Sequence, residues 1–583
     1  MQAILPLASQ NTMANANLRT RRWILRDDPG AIPDCEVVGG LHPVLQRLLG
    51  QRGFVEEACV GNFLAPRLKD LSDPFDLPEM EKGVKRVFEA VDQGQEICVY
   101  GDYDVDGISS ITIMQTVLQA YGAKVRHFVP VRSTEGYGLS EAAIARCMGE
   151  GPRPNLFITV DCGTVSHGPI SQLGAEGIDV IVVDHHERGE AGRPDCVALI
   201  NPKFESTPYS YLCAAGVVFK LAHGLLKTRP LENFDLRSVL DLVAVATISD
   251  IVPLVGENRL LVRHGLKRLP KTMNVGLRAL MDVTGLNGHA SSSDVGFRLG
   301  PRINAAGRMD RPDEALSTLL AKSPADAKAL AERLDNYNRE RQKTELRILE
   351  EAEAQLEATH KVEEEPVIVV GSRNWHPGVV GIVASRLMRK YHRPAFVVAI
   401  DDEGVGKGSG RSVEGVSLVE AIRNAGDVLI AGGGHHMAAG ISVHEDQLAA
   451  FRESFGKYVL ENARSEDLEP KLHIDGVLGL DSLDLDFLYQ YESLQPFGSG
   501  NSVPVFVARD VWLSEAPRVL KNNHLKLWLR QGGAEKDAMF FGGGERELPE
   551  PPWDVAFTID RNFFRGTTSC QMLIRDIRPA GQF

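Results

Sequence analysis

Residues 97–107 read Ile97-Cys98-Val99-Tyr100-Gly101-Asp102-Tyr103-Asp104-Val105-Asp106-Gly107, so that a short apolar run ends in three alternating aspartates. The β-branched and aromatic residues of the run predict a strand. Three carboxylates held this close together repel one another, and a bound multivalent cation is the usual remedy at neutral pH. The stretch therefore predicts a strand that leads into a metal site.

The same spacing also opens the calcium-binding loop of an EF-hand, which is the main alternative for this stretch. Counted from Asp102, the last position of such a loop should be a bidentate glutamate, but it is Ile113. An EF-hand loop also follows a helix, whereas the residues before Asp102 predict a strand. Both observations argue against a calcium loop.

Composition limits the classes of protein that this chain can belong to. Its 583 residues suffice for about three to four domains. The sequence shows neither a bilayer-spanning apolar run nor a secretory leader, so we expect a cytoplasmic protein without membrane association. The eight cysteines form no Cys-x-x-Cys pair, which argues against zinc and for reduced thiols. A net charge of −14 argues weakly against wholesale coating of nucleic acid, although a local basic channel is compatible with it.

Strand-like and helix-like segments alternate after the aspartates. A helix is predicted over 108–120 and another over 140–148, with Ser140 as its cap. Strands are predicted over 124–129, 156–160 and 180–183. Alternating β and α segments predict a parallel sheet covered by helices. The predicted fold class is therefore α/β, in a chain of several domains.

Acidic residues also follow the later strands at the point where each one ends. Asp161 follows one strand, Asp184-His185-His186 follows the next, and Asp250 closes the apolar stretch 240–249. Each alone is more often a cap or a surface residue, but ligands of parallel sheets bind beyond the carboxyl ends of the strands, where all of these would converge. Carboxylates and imidazoles without thiolates suit two Mn²⁺ or Mg²⁺ ions, which activate water for attack on phosphate esters or anhydrides.

Several motifs together resemble those of one enzyme superfamily. Four stretches resemble successive motifs of the DHH phosphoesterases. They are the aspartate stretch 102–107, then Val160-Asp161-Cys162-Gly163, then Asp184-His185-His186, and then Ser249-Asp250-Ile251-Val252-Pro253-Leu254. One further motif narrows the resemblance to the RecJ-type exonucleases, which are specific for single-stranded DNA. This motif is Gly300-Pro301-Arg302-Ile303-Asn304-Ala305-Ala306-Gly307-Arg308. Segments 374–386, 407–412 and 433–440 are similar to that family's second domain.

The resemblance implies a role for each residue of the acidic clusters. The implied metal ligands are Asp102, Asp104, Asp106, Asp161, His185 and Asp250, with Asp161 bridging two Mn²⁺ or Mg²⁺ ions. His186 would lie beside the scissile phosphate as a general acid or charge stabiliser. Asp184 would orient the two histidines.

The resemblance also implies a set of substrate-binding residues, which are Arg132, Arg302, Asn304, His376, Ser409, Arg411 and His435. An exonuclease that starts at a 5′ end needs a pocket for the terminal phosphate, and guanidinium groups match phosphate oxygens bidentately. The resemblance places Arg132, Ser409 and Arg411 in such a pocket, and Arg302 nearer the path of the strand.

Five segments are expected along the chain: a flexible N-terminal segment (1–40), a DHH catalytic domain with a helical preface (41–312), a connecting helix (313–360), a DHHA1-like domain (361–470) and an OB-like barrel (471–583). The charged, glycine-free sequence of 313–360 favours the connecting helix. Short β-like runs between Gly, Pro and Asn favour the barrel. Such barrels bind single strands with aromatic and basic residues, for which the candidates are Arg561, Phe563, Phe564 and Arg565.

The expected function is hydrolysis of single-stranded DNA from its 5′ end, in recombination and repair, by a monomer that works with single-strand-binding protein and a repair helicase. One alternative is a phosphodiesterase for short oligonucleotides or cyclic dinucleotides, or a pyrophosphatase, on the same metal core. Another is a nucleic-acid-binding scaffold without catalysis. The predicted barrel favours a polymeric substrate, and the complete ligand set favours an enzyme.

Overall fold

The structure is a computed structural model that describes residues 21–26, 40–359, 365–564 and 566–582, apart from the side chains of residues 359 and 564. The strands are β1 (Arg22–Leu25), β2 (Glu96–Gly101), β3 (Lys124–Phe128), β4 (Leu156–Val160), β5 (Asp179–Val183), β6 (Ala198–Ile200), β7 (Ile368–Ser372), β8 (Ala395–Ile400), β9 (Val405–Arg411), β10 (Ala431–Gly434), β11 (Ala438–His444), β12 (Lys471–Ile474), β13 (Gly476–Val477), β14 (Phe506–Leu513), β15 (Arg518–Leu520), β16 (His524–Gln531), β17 (Ala534–Phe540), β18 (Trp553–Phe564) and β19 (Thr567–Pro579). The α-helices are α1 (Pro43–Gln51), α2 (Glu57–Leu64), α3 (Met80–Asp92), α4 (Val105–Ala120), α5 (Arg132–Glu135), α6 (Glu141–Gly149), α7 (His167–Ala175), α8 (Ala214–Thr228), α9 (Leu240–Ser249), α10 (Gly256–Arg268), α11 (Val275–Thr284), α12 (Ser292–Asp294), α13 (Gly300–Arg308), α14 (Pro312–Leu320), α15 (Pro324–Thr359), α16 (Val380–Tyr391), α17 (Leu418–Ala425), α18 (Leu448–Asn462) and α19 (Leu485–Glu492).

Packing divides the chain into two compact units. The central unit comprises residues 65–340 and 495–502, and the flanking unit comprises the described parts of 1–64, 341–494 and 503–583. Helix α15 contributes residues to both units. Within the described part of the chain, no helix combines the length and the apolar character needed to cross a bilayer.

The central unit is built on a five-stranded parallel sheet in the order β3-β2-β4-β5-β6. Successive side chains of a strand point to opposite faces of the sheet, so Ile97 and Val99 lie in one apolar cluster while Cys98 and Tyr100 lie in another. Helix α4 packs in the first cluster, and α6 and α7 pack in the second. The predicted α/β fold with a parallel sheet is confirmed.

The strand order reverses between β2 and β4, since the chain runs from β2 outward to β3 and then returns to β4 on the other side of β2. The register pairs Gly101 with Val160 and Val160 with Val183, so β2, β4 and β5 end side by side. Ligands of open α/β sheets bind beyond the carboxyl ends of the strands at such a reversal. The residues that follow these three strands therefore meet at one place.

The stretch predicted as one connecting helix forms two helices. Helix α14 buries Ala315, Leu316 and Leu319 in the core of the central unit and ends at Leu320. Helix α15 begins at Pro324, because a proline lacks the N–H group of a helix interior and is accepted only in the first turn. The long helix is therefore Pro324–Thr359, and the residues from 313 to 320 belong to the central core.

The C-terminal region contributes one short segment to the central unit, which we call the 495–502 hairpin. The carbonyl of Gln495 accepts hydrogen bonds from Arg259 at 3.0 Å and from Arg263 at 2.9 Å. The carbonyl of Ser499 accepts the N–H of Leu254 at 2.7 Å. These backbone contacts place residues 495–502, which lie within the predicted barrel domain 471–583, in the central unit.

The flanking unit contains two further large sheets. The first has five strands in the order β10-β11-β9-β8-β7, in which only β7 and β8 run parallel, and α16, α17 and α18 pack on it. The second has seven strands in the order β13-β14-β18-β19-β17-β16-β15, and an additional pairing of β14 with β16 closes it into a barrel. A second α/β domain and a C-terminal barrel, as predicted, are both present.

The described N-terminal residues pack in the flanking unit. Strand β1 pairs in parallel with β12, and the buried Trp23 donates a hydrogen bond to Asp576 at 2.7 Å. The N–H of His42, which precedes α1, donates to Gln490 at 2.6 Å. Strand β1 lies within the segment 1–40 that was predicted to be flexible, and α1 and α2, predicted as a preface to the catalytic domain, belong to the flanking unit. Residues 1–20 and 27–39 of the predicted flexible segment lie outside the described residues.

The spacing of apolar residues predicted helices α1 and α2, but it could not indicate on which domain they pack. Helix α3, predicted in the same way, does pack on the parallel sheet through Met80, Val84 and Val87. Helices α1 and α2 differ from α3 because their region contacts residues several hundred positions away, and a local pattern of apolar residues does not indicate such contacts.

Candidate metal centre

The edge formed by the carboxyl ends of β2, β4 and β5 carries a cluster of carboxylates and imidazoles. Nε2 of His185 lies 3.3 Å from Asp161 Oδ1, 3.7 Å from Asp250 Oδ2 and 3.8 Å from Asp106 Oδ2. Ligand atoms within 4.8 Å of one another form three groups, which are Asp161–His185–His186, Asp106–His185–Asp250 and Asp102–Asp104–Asp161. The structure thus brings together all six residues that the resemblance implies as metal ligands.

The turn after β2 arranges the three aspartates through local backbone contacts. Oδ1 of Asp104 caps α4 by accepting the N–H groups of Asp106 at 2.8 Å and Gly107 at 3.2 Å. A Cβ atom on Gly107 would lie 2.3 Å from the carbonyl oxygen of Asp102, so a glycine is required where the helix starts this close to the strand. The motif therefore builds a tight turn that presents three carboxylates together.

Asp106 is buried and is oriented by a second helix. Its two carboxylate oxygens accept the N–H groups of Ala214 at 2.7 Å and Ala215 at 2.8 Å, in the first turn of α8. The partial positive charge of a helix N-terminus favours an anion at this position. Asp106 is thus held in place by backbone N–H groups.

Asp161 and Asp250 occupy unfavourable positions. Asp161 has φ 61°, in the left-handed region that few non-glycine residues adopt, and its N–H donates to the carbonyl of Val183 at 3.1 Å. Asp250 caps the C-terminal end of α9, where the helix dipole disfavours a negative charge, and Ile251 after it has φ 62°. Backbone strain of this kind is concentrated at functional sites.

Burial and mutual repulsion raise the pKa values of the clustered carboxylates. Burial, then the charge of Asp104, raises the pKa of Asp106 to about 7, and burial, then the charge of Asp106, raises the pKa of Asp250 to about 8. The pKa values of Asp102 and Asp161 are raised well above the ordinary range, also chiefly by burial. Among the described residues, Asp102 Oδ1 and Asp250 Oδ2 are buried without a hydrogen-bond partner. Oxygen ligands with imidazole fit Mn²⁺ or Mg²⁺, whose charge would favour the ionised carboxylates.

The affinity for Mn²⁺ is expected to rise with pH. The carboxyls of Asp106 and Asp250, with pKa values of about 7 and about 8, must release protons before they bind a cation. From about pH 6.5 to about pH 8.5 the apparent Kd should therefore fall about tenfold or more, measured by the electron paramagnetic resonance of free Mn²⁺ without DNA. An affinity that does not change with pH would contradict this account. Asp250→Asn, whose amide cannot titrate, should flatten the dependence.

Asp184 holds the two histidines in place. Its Oδ1 accepts the N–H of His185 at 2.7 Å and Nδ1–H of His186 at 2.7 Å, and its Oδ2 accepts the N–H of Thr164 at 3.0 Å. Although burial opposes the charged form, the hydrogen bond and charge of Asp184 raise the pKa of His186 to about 9. Burial, together with the charge of His186, lowers the pKa of His185 to about 3. The neutral imidazole suits a metal ligand, and the charged one suits a neighbour of a phosphate.

Tyr137 belongs to this site but was not selected from the sequence. Its hydroxyl lies 2.6 Å from Nε2 of His186, and the residue is 57% exposed. The available signal was its place in a polar loop after a strand end, between Gly136 and Gly138. Nothing in that pattern indicated that the loop returns to the histidines.

Three of the predicted substrate-binding residues lie in the central unit. Asn304 accepts the N–H of Val105 at 3.1 Å and so supports the aspartate turn. Arg302 forms an ion pair with Asp335 at 2.8 Å, and a phosphate would have to replace that carboxylate. Arg132 begins α5 and lies 5.5 Å from the ring centre of Tyr103. Their contacts with DNA stay predictions.

The other predicted substrate-binding residues lie in the flanking unit. Ser409 and Arg411, on β9, face the first turn of α16, where a Cβ atom on Gly381 would be 2.8 Å from Ser409 Oγ and 3.6 Å from an Arg411 amino group. A helix N-terminus, a hydroxyl and a guanidinium together suit a phosphate. His376 accepts a backbone N–H at 3.1 Å just before this helix, and His435 follows β10 at the surface.

Two of the four candidate residues in the barrel have described side chains. Arg561 is paired with Glu492, with Nε 2.7 Å from Oε1, and lies 5.3 Å from the ring centre of Tyr489. Phe563, on β18, is 70% exposed. The side chain of Phe564 and the whole of Arg565 lie outside the described residues. Phe563 is therefore the better placed of the two for stacking on a base.

The parallel sheet with its acidic edge defines a phosphoesterase of the DHH class. The sequence profile of the DHH family, N-terminal domain, matches residues 96–247, and that of the DHHA1 domain matches residues 364–461. The profile of the RecJ OB domain matches residues 474–576. The three matches correspond to the parallel-sheet domain, the second α/β domain and the barrel, in that order.

Comparison with whole proteins identifies the family. The single-stranded-DNA-specific exonuclease RecJ of Bacillus subtilis (strain 168) is 34% identical over 564 residues, which cover 95% of this chain and 70% of that protein. The crystal structure of RecJ from Thermus thermophilus in complex with Mn²⁺ matches with a TM-score of 0.80 and 31% identity, covering 96% of this chain and 79% of that chain. Its Mg²⁺ complex matches with a TM-score of 0.74 and 30% identity, covering 96% and 78%. This chain belongs to the RecJ family of single-stranded-DNA-specific exonucleases, and the resemblance seen in the sequence is confirmed.

Proposed function

We propose that this chain removes nucleotides from the 5′ end of single-stranded DNA by hydrolysing phosphodiester bonds with two divalent ions, Mn²⁺ or Mg²⁺. The observation that carries the proposal is the cluster at the sheet edge, in which Asp161 and His185 each belong to two of the three ligand groups. Ligands shared at this spacing suit two adjacent ions. Membership of the RecJ family supports single-stranded DNA as the substrate.

Two such ions, when bound, lower the pKa of a water and neutralise charge that develops on phosphoryl oxygens. In hydrolysis the water oxygen bonds to phosphorus, the bond from phosphorus to the leaving oxygen breaks, and a proton reaches that oxygen. His186 is the residue of this chain that can supply or share the proton, because its other nitrogen is held by Asp184 at 2.7 Å. Asp184 thus fixes the direction in which the imidazole acts.

A nuclease assay on end-labelled strands tests the proposal. With Mn²⁺, single strands should shorten progressively from the 5′ end, and EDTA should stop the reaction because it removes the ions that activate the water. A blunt duplex of the same sequence is the control for strand specificity. Cleavage in EDTA, or equal cleavage of the duplex, would contradict the proposed function.

Phe563→Ala should weaken binding to long single strands while leaving cleavage of very short ones unchanged. Phe563 is 70% exposed on the barrel, and loss of one base-stacking ring lowers affinity by about fivefold to about a hundredfold. The measurement compares Kd for a long strand with kcat on a short oligonucleotide. Leu460→Ala, which removes an equally exposed apolar side chain from α18, is the control. Equal losses on both substrate lengths would refute a separate role for the barrel.

The alternatives from the sequence are less well supported. A phosphodiesterase for short oligonucleotides or cyclic dinucleotides has no need of a barrel, yet residues 474–576 match the RecJ OB domain. A catalytically inactive scaffold would tolerate loss of metal ligands. In this chain all six predicted ligand residues are present, and their ligand atoms lie close together. Competition between a dinucleotide and a long strand in one assay separates the first alternative from the proposal.

We further propose that the protein acts as a monomer in the cytoplasm, in recombination and repair, together with single-strand-binding protein and a helicase. The chemistry of the substrate supports the two partners, since single strands arise when a helicase unwinds a duplex and are then covered by single-strand-binding protein. Sedimentation of the purified chain tests the monomer. Stimulation of the nuclease by a helicase on duplex DNA tests the partnership.

A further inference from the structure

Tyr137 connects an exposed loop to the histidine pair. Its hydroxyl lies 2.6 Å from Nε2 of His186, and the two rings meet edge to face with their centres 5.7 Å apart. On the opposite side of the imidazole, Nδ1 is held by Asp184 at 2.7 Å. Both nitrogens of His186 are thus engaged, one by a buried carboxylate and one by an exposed hydroxyl.

The loop that carries Tyr137 is held firmly on both sides. The buried hydroxyl of Tyr100 donates to the carbonyl of Gly138 at 2.8 Å, directly after Tyr137. Before it, Glu135 receives two hydrogen bonds from Arg146, at 2.6 and 2.9 Å. Gly138 itself has φ 75°, a conformation that favours glycine. The position of Tyr137 is therefore set by the body of the central unit.

The surroundings of Tyr137 argue for a part in the reaction. His186 forms a ligand group with Asp161 and His185, so the hydroxyl lies at the rim of the metal cluster. An aromatic ring with 57% exposure contributes little to the core, and its hydroxyl bond joins residues 49 positions apart in the sequence. A hydroxyl on Nε2 restricts rotation of the imidazole about its Cβ–Cγ bond, because it fixes the ring at a second point besides the hydrogen bond to Asp184.

We propose that Tyr137 is a positioning residue of the nuclease: its hydroxyl shares the Nε2 proton of His186 with the scissile phosphate and so holds the imidazole in the orientation needed there. The inference rests on the proposed function, because it assigns His186 to the phosphate. A competing account is that the hydroxyl occupies the place of a phosphate oxygen and is displaced by the substrate. The two accounts predict opposite effects when the hydroxyl is removed.

Tyr137→Phe removes the hydroxyl and keeps the ring. If Tyr137 positions His186, kcat on 5′-phosphorylated single strands should fall about tenfold or more, the range expected when an acid–base group is misoriented. KM and the affinity for Mn²⁺ should stay within about threefold, since the metal ligands keep their contacts. Tyr337→Phe, which removes a hydroxyl bonded to Glu314 at 3.1 Å elsewhere in the unit, should leave kcat unchanged.

A double-mutant cycle distinguishes positioning from a general structural effect. In a His186→Ala background, Tyr137→Phe should have no further effect on kcat, because residues that act as a unit are not additive. Independent losses that multiply would overturn the proposal, as would an unchanged or increased kcat for Tyr137→Phe alone. If His186→Ala is too slow to measure, the separation of kcat from KM in the single variant decides. A wild-type chain without nuclease activity would instead refute the proposed function.

Discussion

Asp161→Ala is expected to abolish hydrolysis of single-stranded DNA. Asp161 belongs to two of the three ligand groups, and its carboxylate lies 3.3 Å from His185. We propose that Asp161 would hold both ions, and the loss of such a ligand should reduce kcat by about a thousandfold or more, since both ions would contribute to the same transition state. Product formation from a labelled strand measures the loss, and binding of the strand without turnover should persist.

Two further variants make this result interpretable. Asp161→Asn keeps the shape of the side chain and tolerates the left-handed backbone at φ 61°, so its activity loss cannot be ascribed to strain. Asp179→Ala removes an aspartate from the opposite end of the same sheet, where it pairs with Arg86 at 2.6 Å, and should remain active. Activity of Asp161→Ala within about tenfold of the wild type would exclude a shared ligand.

Arg411→Ala is expected to remove most of the preference for a 5′-phosphate. The guanidinium lies beside Ser409, 3.3 Å from its hydroxyl, near the first turn of α16. Because loss of a charge-assisted contact to a phosphate costs several kcal/mol, cleavage of 5′-phosphorylated strands should fall by about two orders of magnitude. Matched strands with a 5′-phosphate and a 5′-hydroxyl measure the preference.

The control for this variant is Arg373→Ala. Arg373 is also an arginine of the second α/β domain, but it pairs with Glu445 at the surface, with Nε 2.9 Å from the carboxylate. Its loss should change neither rate. If Arg411→Ala slows both substrates equally, the terminal phosphate is recognised elsewhere.

The fold was predictable where local pattern and chain order act together. The apolar run before Asp102 and the strands before Asp161 and Asp184 all exist within one or two residues of the predicted limits, and Ser140 caps α6. Parallel strands necessarily end at one edge, so the convergence of the acidic residues followed from topology. Pairings over hundreds of residues did not follow, such as β1 with β12 or the 495–502 hairpin with Leu254.

The candidate site shows the same limit at the level of side chains. The ligand types could be read from their spacing, but the ion pairs of Arg302 with Asp335 and of Arg561 with Glu492 could not. Each pair joins residues on separate elements, and a sequence contains no record of which charges meet. Tyr137 escaped prediction for the same reason, because its partner lies 49 residues away.

The carboxylate cluster also affects how firmly the central unit stays folded. The pKa values of Asp106 and Asp250 are raised to about 7 and about 8, above the ordinary value that they regain in the unfolded chain. Their contribution to the free energy of unfolding is therefore full in acid and is lost as pH rises through those values. At neutral pH the ions of the reaction would restore that loss by binding only the folded state. Metals at this edge would thus serve the unit as structural components, and a chelator would leave a less stable protein as well as an inactive one.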